Sequence, residues 1–390
     1  MPTSLEPGAK LESVLLVDDN PANLRLLSQI LCERNYHVRA VTSGTRALAS
    51  AQMEPPDLIL LDIRMPGMDG YQVCQRLKAD PATESIPVLF ISALDDVGDK
   101  MKAFSAGGVD YITKPFQVEE VVARVETHLS LRRLQRRLME ANRRMERELA
   151  LAAQVQASFL PRSLPSIPGW QLAVSLIPAK QTSGDFWDLI TLEGGRLGIV
   201  MADVVDKGAG AALYMAMSCT LLRTCLGEHP VRPDLACQAA NERLLQYAGG
   251  GQFVTVFLGV LEPVSGHLVY CNAGHNPPLL LGPAGQGDLR TLDKTGMALG
   301  AVDLETWQAG RVELRSGQRL ILYTDGITDA QEPSGALFGR TRLEQAAMGS
   351  LGQPAEVVRD SILESVQRFT AGAPQADDMA LMVLVREKTF

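Results

Sequence analysis

Short apolar runs that end abruptly in polar residues recur through the first 120 positions. Val14-Leu15-Leu16-Val17 stops at Asp18-Asp19-Asn20-Pro21, and Leu58-Ile59-Leu60-Leu61 stops at Asp62. Val88-Leu89-Phe90-Ile91 stops at Ser92-Ala93, and Val109-Asp110-Tyr111-Ile112 at Thr113-Lys114-Pro115-Phe116. Each run has the length of a buried strand, and helical periodicity separates the runs. Strands alternating with helices predict an α/β doubly wound parallel sheet, whose chemistry gathers at the carboxyl ends of its strands. Asp18, Asp19, Asp62, Ser92 and Lys114 are therefore expected at one edge. The Pro and Gly residues of Met65-Pro66-Gly67-Met68-Asp69-Gly70 mark a loop beside them.

Neither Gly nor Pro occurs between Gln117 and Leu160, so the helix that closes this sheet is expected to run on. Within it Leu131, Leu134, Leu138, Ala141, Met145, Glu148, Ala152, Val155 and Phe159 alternate spacings of three and four. That is the seam of a coiled coil, with one polar position at Glu148 whose layer Leu149 shares. Beyond Pro161 the period changes to two. Asp185 to Thr191 and Arg196 to Ala202 read as a hairpin that runs on to Asp203, and Gly208 to Leu226 as a long buried helix. Further strands are expected at 253–261, 267–271, 278–281, 320–323 and 379–385. Such an order predicts an α+β domain built as an antiparallel β-sandwich flanked by helices. Asp185, Asp203, Asp325 and Asp377 would meet at one end of it.

Composition narrows the class. The chain has 390 residues, 46% hydrophobic and 21% charged, enough for two ordinary globular cores. A formal charge of −8 argues against nucleic-acid binding. Residues 129–150 hold seven arginines against three glutamates, a local +4, but no helix-turn-helix, zinc or aromatic pattern accompanies them. The stretch reads as a dimerising rod, as a dock for an acidic surface, or as a solvated helix laced with ion pairs; a homodimer through the seam is the expectation. Cys32, Cys74, Cys219, Cys225, Cys237 and Cys271 show no metal-ligand spacing and are expected to be reduced core residues. No membrane-spanning run and no signal peptide are expected, which makes the cytoplasm the expected location.

Three carboxylates at one sheet edge repel one another, and a hard divalent cation, Mg²⁺ foremost, would hold them ionised. Asp62 then becomes a nucleophile toward a phosphoryl donor, with the metal and Lys114 neutralising the aspartyl-phosphate and Ser92 donating a hydrogen bond. The acidic pair, Asp62 with the Met65–Gly70 loop, Ser92-Ala93 and Lys114-Pro115-Phe116 together make residues 10–130 resemble the receiver domain of two-component response regulators. The resemblance implies that Asp62 is the phosphoacceptor and that Tyr111, three residues before the lysine, turns with Ser92 on phosphorylation. A sensor histidine kinase or phosphotransfer protein would be the partner.

In the second acidic set, four carboxylates without His or Cys suit two Mn²⁺ or Mg²⁺ ions, which can activate a shared water against a phosphoryl group. His275 lies in a Gly- and Pro-bounded loop, where a histidine more often fixes backbone than transfers protons. Residues 145–387 resemble the PPM-type serine/threonine phosphatase domain of bacterial regulators of stress and sporulation sigma factors. The resemblance is carried by Glu148 to Gln156 with Phe159-Leu160-Pro161, Ser183-Gly184-Asp185-Phe186-Trp187-Asp188 and Ala202-Asp203-Val204-Val205-Asp206-Lys207-Gly208. Asn272 to Pro277, Leu322-Tyr323-Thr324-Asp325-Gly326-Ile327 and Asp377-Asp378-Met379 supply the rest. It implies that Asp203 bridges two ions with the Val204 carbonyl, and that Asp185, Asp325 and Asp377 complete their shells. The chain departs from the pattern at Val205, Asp206 and Lys207, where a small residue, Gly and His are usual, at Ser183 for Gly and at Ala380 for Thr.

The expected layout is a tail (1–10), a flavodoxin-like receiver domain (11–128), a helical linker (129–160) and a phosphatase domain (161–390). Phosphorylation of Asp62 would control a protein phosphatase acting on a phosphorylated anti-sigma-factor antagonist. The alternative is a non-catalytic adaptor that binds a stress sigma factor and delivers it for proteolysis.

Overall fold

The computed structural model describes residues 11–92, 97–247, 251–283, 288–303 and 306–387. Ala93, half of the expected Ser92-Ala93 step, lies outside these. The chain divides into two compact units, 1–144 and 145–390.

In the first unit, β1 (Ser13–Val17), β2 (His37–Val41), β3 (Leu58–Asp62), β4 (Val88–Ser92) and β5 (Asp110–Thr113) form a parallel sheet in the order β2-β1-β3-β4-β5. Between them lie α1 (Pro21–Cys32), α2 (Gly44–Met53), α3 (Gly70–Ala79) and α4 (Val97–Ser105), and α5 (Val118–Ala157) follows. This is the doubly wound arrangement the apolar runs predict, and its strand order places a switch point beside β1 and β3. Strands β1, β3 and β4 are buried along their whole length because helices cover both faces. One core face holds Leu15, Ile59, Leu61 and Phe90, the other Leu16, Leu58, Leu60 and Ile91.

Helix α5 has 40 residues and ends shortly before Pro161. Its first turns bury Val121, Val125 and Leu129 in the receiver core. Arg132 donates to the Asp57 carbonyl (2.7 Å) and Arg136 pairs with the Asp57 carboxylate (2.6 Å). The seam residues Leu131, Leu134, Leu138, Met145 and Val155 are all more than half exposed.

In the second unit two antiparallel sheets face each other. One, in the order β13-β10-β9-β8-β7, contains β7 (Phe186–Thr191), β8 (Leu197–Val204), β9 (Val254–Glu262), β10 (His267–Ala273) and β13 (Gly310–Glu313). The other, β12-β11-β14-β15-β6, contains β6 (Trp170–Ile177), β11 (Leu279–Leu281), β12 (Leu289–Thr291), β14 (Arg319–Tyr323) and β15 (Met379–Arg386). Alternation along the strands divides the cores. Leu197, Ile199 and Met201 of β8 meet Met382 and Leu384 of β15 between the sheets. The intervening Val200, Ala202 and Val204 pack beneath α6 (Ala209–Glu228) and α7 (Pro233–Tyr247). Leu381 and Val383 pack beneath α9 (Gly339–Gly349) and α10 (Ala355–Thr370), while α8 (Asp325–Thr328) is a single turn following β14.

Two expectations need correction. Helix α6 is long and apolar enough to cross a membrane by length and composition, although no such run was expected. Half of its apolar window is buried, and it packs on α7, β7 and β8, as the core helix of a sandwich does. Among the cysteines, five are buried as expected but Cys32 is exposed at the end of α1.

Candidate functional site

The first cluster sits at the carboxyl ends of β1, β3 and β5. Asp18, Asp19 and Asp62 each place an oxygen within 4.8 Å of the others. The turn into α1 holds Asp18 in place: its carboxylate accepts from the Asn20 N–H (2.8 Å) and from Asn23 Nδ2 (2.9 Å). Asn20 in turn caps α1 through the Ala22 N–H. Lys114 Nζ reaches both Asp18 and Asp62 at 2.9 Å. Burial pushes the Asp62 carboxyl above its ordinary value, against the opposing hydrogen bond from Lys114. Burial works to lower the Lys114 ammonium, but its bonds to Asp62 and Asp18 prevail and the net shift is upward. Gly70 is required here because a Cβ would lie 2.4 Å from the Asp62 carbonyl. Ser92 is buried at the end of β4, and its carbonyl accepts from the Lys114 N–H (2.6 Å). Tyr111 is half-buried, edge-on to Phe104 with centroids 6.4 Å apart and with the Arg124 guanidinium 5.6 Å over its ring. Metal, nucleophile and ammonium thus have candidate residues in one place. An Mg²⁺ ion fits the oxygen donors of this trio, whose crowded carboxylates Lys114 offsets in part.

The second cluster gathers where β8 and β14 end and where β7 and β15 begin. Asp185 is buried; Thr324 Oγ1 donates to it (2.6 Å) and accepts from the Ala380 N–H (2.8 Å), tying β14 to β15. Burial raises the Asp185 carboxyl well above the carboxylate range, and the neighbouring Asp203 raises it further. Burial, with Asp325 as the next cause, lifts Asp203 to about 7. Asp325 is raised by burial and by Asp377. These mutual effects bring Asp185, Asp203, Asp325 and Asp377 into one electrostatic group, whose donors are carboxylate oxygens alone, as Mg²⁺ or Mn²⁺ prefer. The set is looser than the first: among the described residues no three of its acids reach the 4.8 Å spacing. Asp378 also raises Asp185 and Asp203, but both of its oxygens are engaged, accepting the Ala179 and Gly184 N–H groups, each at 2.7 Å. Gly326 permits this packing, because a Cβ there would collide with the Asp378 carbonyl at 1.9 Å.

The Val204 carbonyl lies 3.0 Å from where a Cβ would stand on Gly184. The loop after Val204 is unusual, since Asp206 has φ +86°, a conformation that favours glycine. Lys207 reaches across from it, its Nζ 2.9 Å from Asp377 and 2.7 Å from the Ala376 carbonyl. A cavity of about 410 Å³ is lined by Gly326, Ala376, Met379 and residues of α10, the first two next in sequence to Asp325 and Asp377. His275 is buried with Nδ1 2.9 Å from Thr255 Oγ1, and burial with Lys294 lowers it to about 3. A neutral, enclosed imidazole suits fixing of the 272–277 loop rather than proton transfer.

Sequence reasoning assigned no role to Thr324 or Gln156, although both lie within quoted motifs. Gln156, buried in the last turn of α5, donates to the Ser183 carbonyl and accepts the Ser183 N–H (3.0 Å). Ser183 Oγ in turn donates to the Asp185 carbonyl (3.1 Å). Replacing Gln156 with Ala would strand a buried N–H and C=O two residues from Asp185. The expected cost is about 1–3 kcal/mol, read as a lower denaturation midpoint in urea; an unchanged midpoint would show that water takes over both bonds.

A doubly wound unit with an acidic trio and a lysine, followed by a helix-covered antiparallel sandwich with four gathered acids, is a response-regulator receiver joined to a PPM-type phosphatase domain. The chain belongs to the Stage II sporulation protein E (SpoIIE) family, which matches residues 193–387, half of its length, while residues 14–126 match the response regulator receiver domain. The Protein IcfG of Synechocystis sp. is 32% identical over 266 residues, which are 61% of this chain and 41% of IcfG. The chain thus spans about two fifths of that relative's length. The SiaA-PP2C domain of Pseudomonas aeruginosa shares the fold at 19% identity, with TM-score 0.57 over 62% of this chain and 97% of that domain. The RsbU and RsbW domains of Rv1364c from Mycobacterium tuberculosis match at 26% identity and TM-score 0.51, over 60% of this chain and 64% of that one.

Proposed function

We propose that this chain is a response regulator in which phosphorylation of Asp62 controls a metal-dependent phosphoserine/phosphothreonine protein phosphatase. The observation that carries the reading is the gathering of Asp185, Asp203, Asp325 and Asp377 at one end of the sandwich, mutually repelling, with the Lys207 ammonium paired to Asp377. Two Mn²⁺ or Mg²⁺ ions held by these acids and the Val204 carbonyl would supply an activated water and charge neutralisation. The protein itself positions the acids, through Thr324 on Asp185 and through the Asp378 clamp on Gly184. In the receiver, Asp18, Asp19 and Asp62 would hold Mg²⁺, with Ser92 and Tyr111 as the switch pair. A sensor histidine kinase or phosphotransfer protein would supply the phosphoryl group.

The likeness to RsbU-type domains favours a phosphorylated anti-sigma-factor antagonist as substrate and a cytoplasmic role in stress signalling. The exposed leucines of α5 favour a homodimer through residues 129–160, between the receiver (11–128) and the phosphatase domain (161–390). One observation favours the adaptor reading instead: the 203–208 loop carries Asp206 in a glycine conformation and a lysine against Asp377. Purified protein with Mn²⁺ should release phosphate from a phosphoserine peptide and from a small aryl phosphate. Folded protein that releases none from either, yet binds a sigma factor tightly, would establish the adaptor.

A further inference from the structure

Lys207 stands where the phosphatase pattern departs most, and its partly exposed side chain is tied down at the ammonium. Asp206 holds the loop in the left-handed region and accepts the Lys207 N–H through Oδ1 (3.0 Å), which sets the direction in which Lys207 leaves the backbone. The ammonium then takes the Asp377 carboxylate at 2.9 Å and the Ala376 carbonyl at 2.7 Å. The other Asp377 oxygen, Oδ1, accepts the Asp378 N–H (2.9 Å). Both carboxylate oxygens of Asp377 are therefore engaged within the chain.

An ammonium and a divalent ion seek the same lone pairs on Asp377, and both relieve the same crowding of acids. The ammonium is bound to the chain, so its effective concentration at Asp377 is fixed by one loop and does not fall with dilution. An ion must displace it. The pair is about two fifths exposed on each side, so solvent weakens it and leaves it open to displacement.

We propose that Lys207 is a tethered cation that competes with a divalent ion for Asp377 and thereby weakens the metal affinity of that edge of the phosphatase centre. The proposal rests on the reading that the four acids hold metal. It makes metal supply a condition on this enzyme: the Asp203–Asp185 edge fills first, and the Asp377 edge fills only at higher ion concentration.

The test is a titration of the full chain with Mn²⁺ alone, counting bound ions by electron paramagnetic resonance. The wild type is compared with Lys207→Met, which keeps the stem and removes the charge, with Lys207→Arg, and with Asp203→Asn. Ions lost in Asp203→Asn belong to the phosphatase centre, since the receiver acids are the same in all four proteins. Lys207→Met is expected to bind the weaker of these ions about three- to tenfold more tightly, or to bind one the wild type lacks, while Lys207→Arg stays near the wild type. Equal or weaker binding in Lys207→Met overturns the proposal and leaves the metal centre standing, as does an Arg variant that behaves like Met. Absence of any Asp203-dependent ion in both wild type and Lys207→Met overturns the metal centre and the proposal together.

Discussion

Replacing Asp203 with Asn is expected to cut metal-dependent hydrolysis about 100- to 1,000-fold, and to make the metal-free protein more stable. Asp203 is the penultimate residue of β8 and pairs in register with Thr255 on β9, so rigid strands fix its backbone and its carboxylate lies against Asp185 and Asp325. The amide keeps the shape but offers a neutral oxygen to a cation where the proposed function needs a bridging charge. Stability moves the other way. In the fold burial and Asp325 lift Asp203 to about 7 from 3.8, so between those values the native state holds a proton that the unfolded chain has released. Stability therefore falls as pH rises through that window and stays reduced above it, a cost of about 1–3 kcal/mol once sharing of the effect with Asp185 is allowed for. Asn removes that cost. Thermal melts in chelator should thus place Asp203→Asn above the wild type at pH 8 and close to it at pH 4. A variant that melts lower at pH 8 would mean that the charge is compensated inside the fold, and its lost activity could then be ascribed to misfolding.

The strands that were legible in the sequence are those buried on both faces or strictly alternating. Val14–Val17, Leu58–Leu61 and Val88–Ile91 announce themselves because helices cover both sides of the sheet, and Asp18 and Asp62 stand out as the polar residues that end such runs. β2, with sequence HVRAV, escaped because it is an edge strand half in water, where no apolar run is needed. β6 and β13 escaped for the same reason. Each lies at one edge of its sandwich sheet, and in β6 only Trp170 and Ala173 are buried. Expected site residues likewise follow backbone logic. Asp185, Asp203, Asp325 and Asp377 border strands, and antiparallel pairing carries their ends together.

Side chains that join one element to another leave no such trace. Thr324 ties Asp185 to Ala380, and Gln156 ties the end of α5 to Ser183; both are polar residues whose partners are chosen by tertiary packing, with no period to reveal them. The same holds for Lys207. Its departure from the usual motif was visible in the sequence, but its place against Asp377 depends on an Asp206 backbone angle that no composition rule supplies.

Replacing Asp62 with Asn is expected to abolish uptake of a phosphoryl group from acetyl phosphate, by at least about 100-fold, and to leave phosphatase output deaf to that donor. Attack requires a carboxylate oxygen that forms the bond to phosphorus as the donor's leaving oxygen departs with its electron pair. Asp62 is poised for this at the end of β3, where Lys114 lies 2.9 Å from it and Asp18 and Asp19 offer oxygens for Mg²⁺. Lys114 spans Asp18 and Asp62, so charge that moves from the carboxylate to the transferred phosphoryl remains within its reach. An amide at 62 is no nucleophile and also forfeits the ion pair, while Asp18 stays bonded to Lys114 and to the first turn of α1. Intact-mass spectrometry after incubation with acetyl phosphate and Mg²⁺ should therefore find one phosphoryl adduct on the wild type and none on Asp62→Asn. Hydrolysis of an aryl phosphate should change on phosphorylation in the first protein alone. An adduct that persists in the Asn variant would move the acceptor to another residue of the trio. A wild-type adduct with no change in hydrolysis would separate the receiver chemistry from the phosphatase, and control by Asp62 phosphorylation would fall.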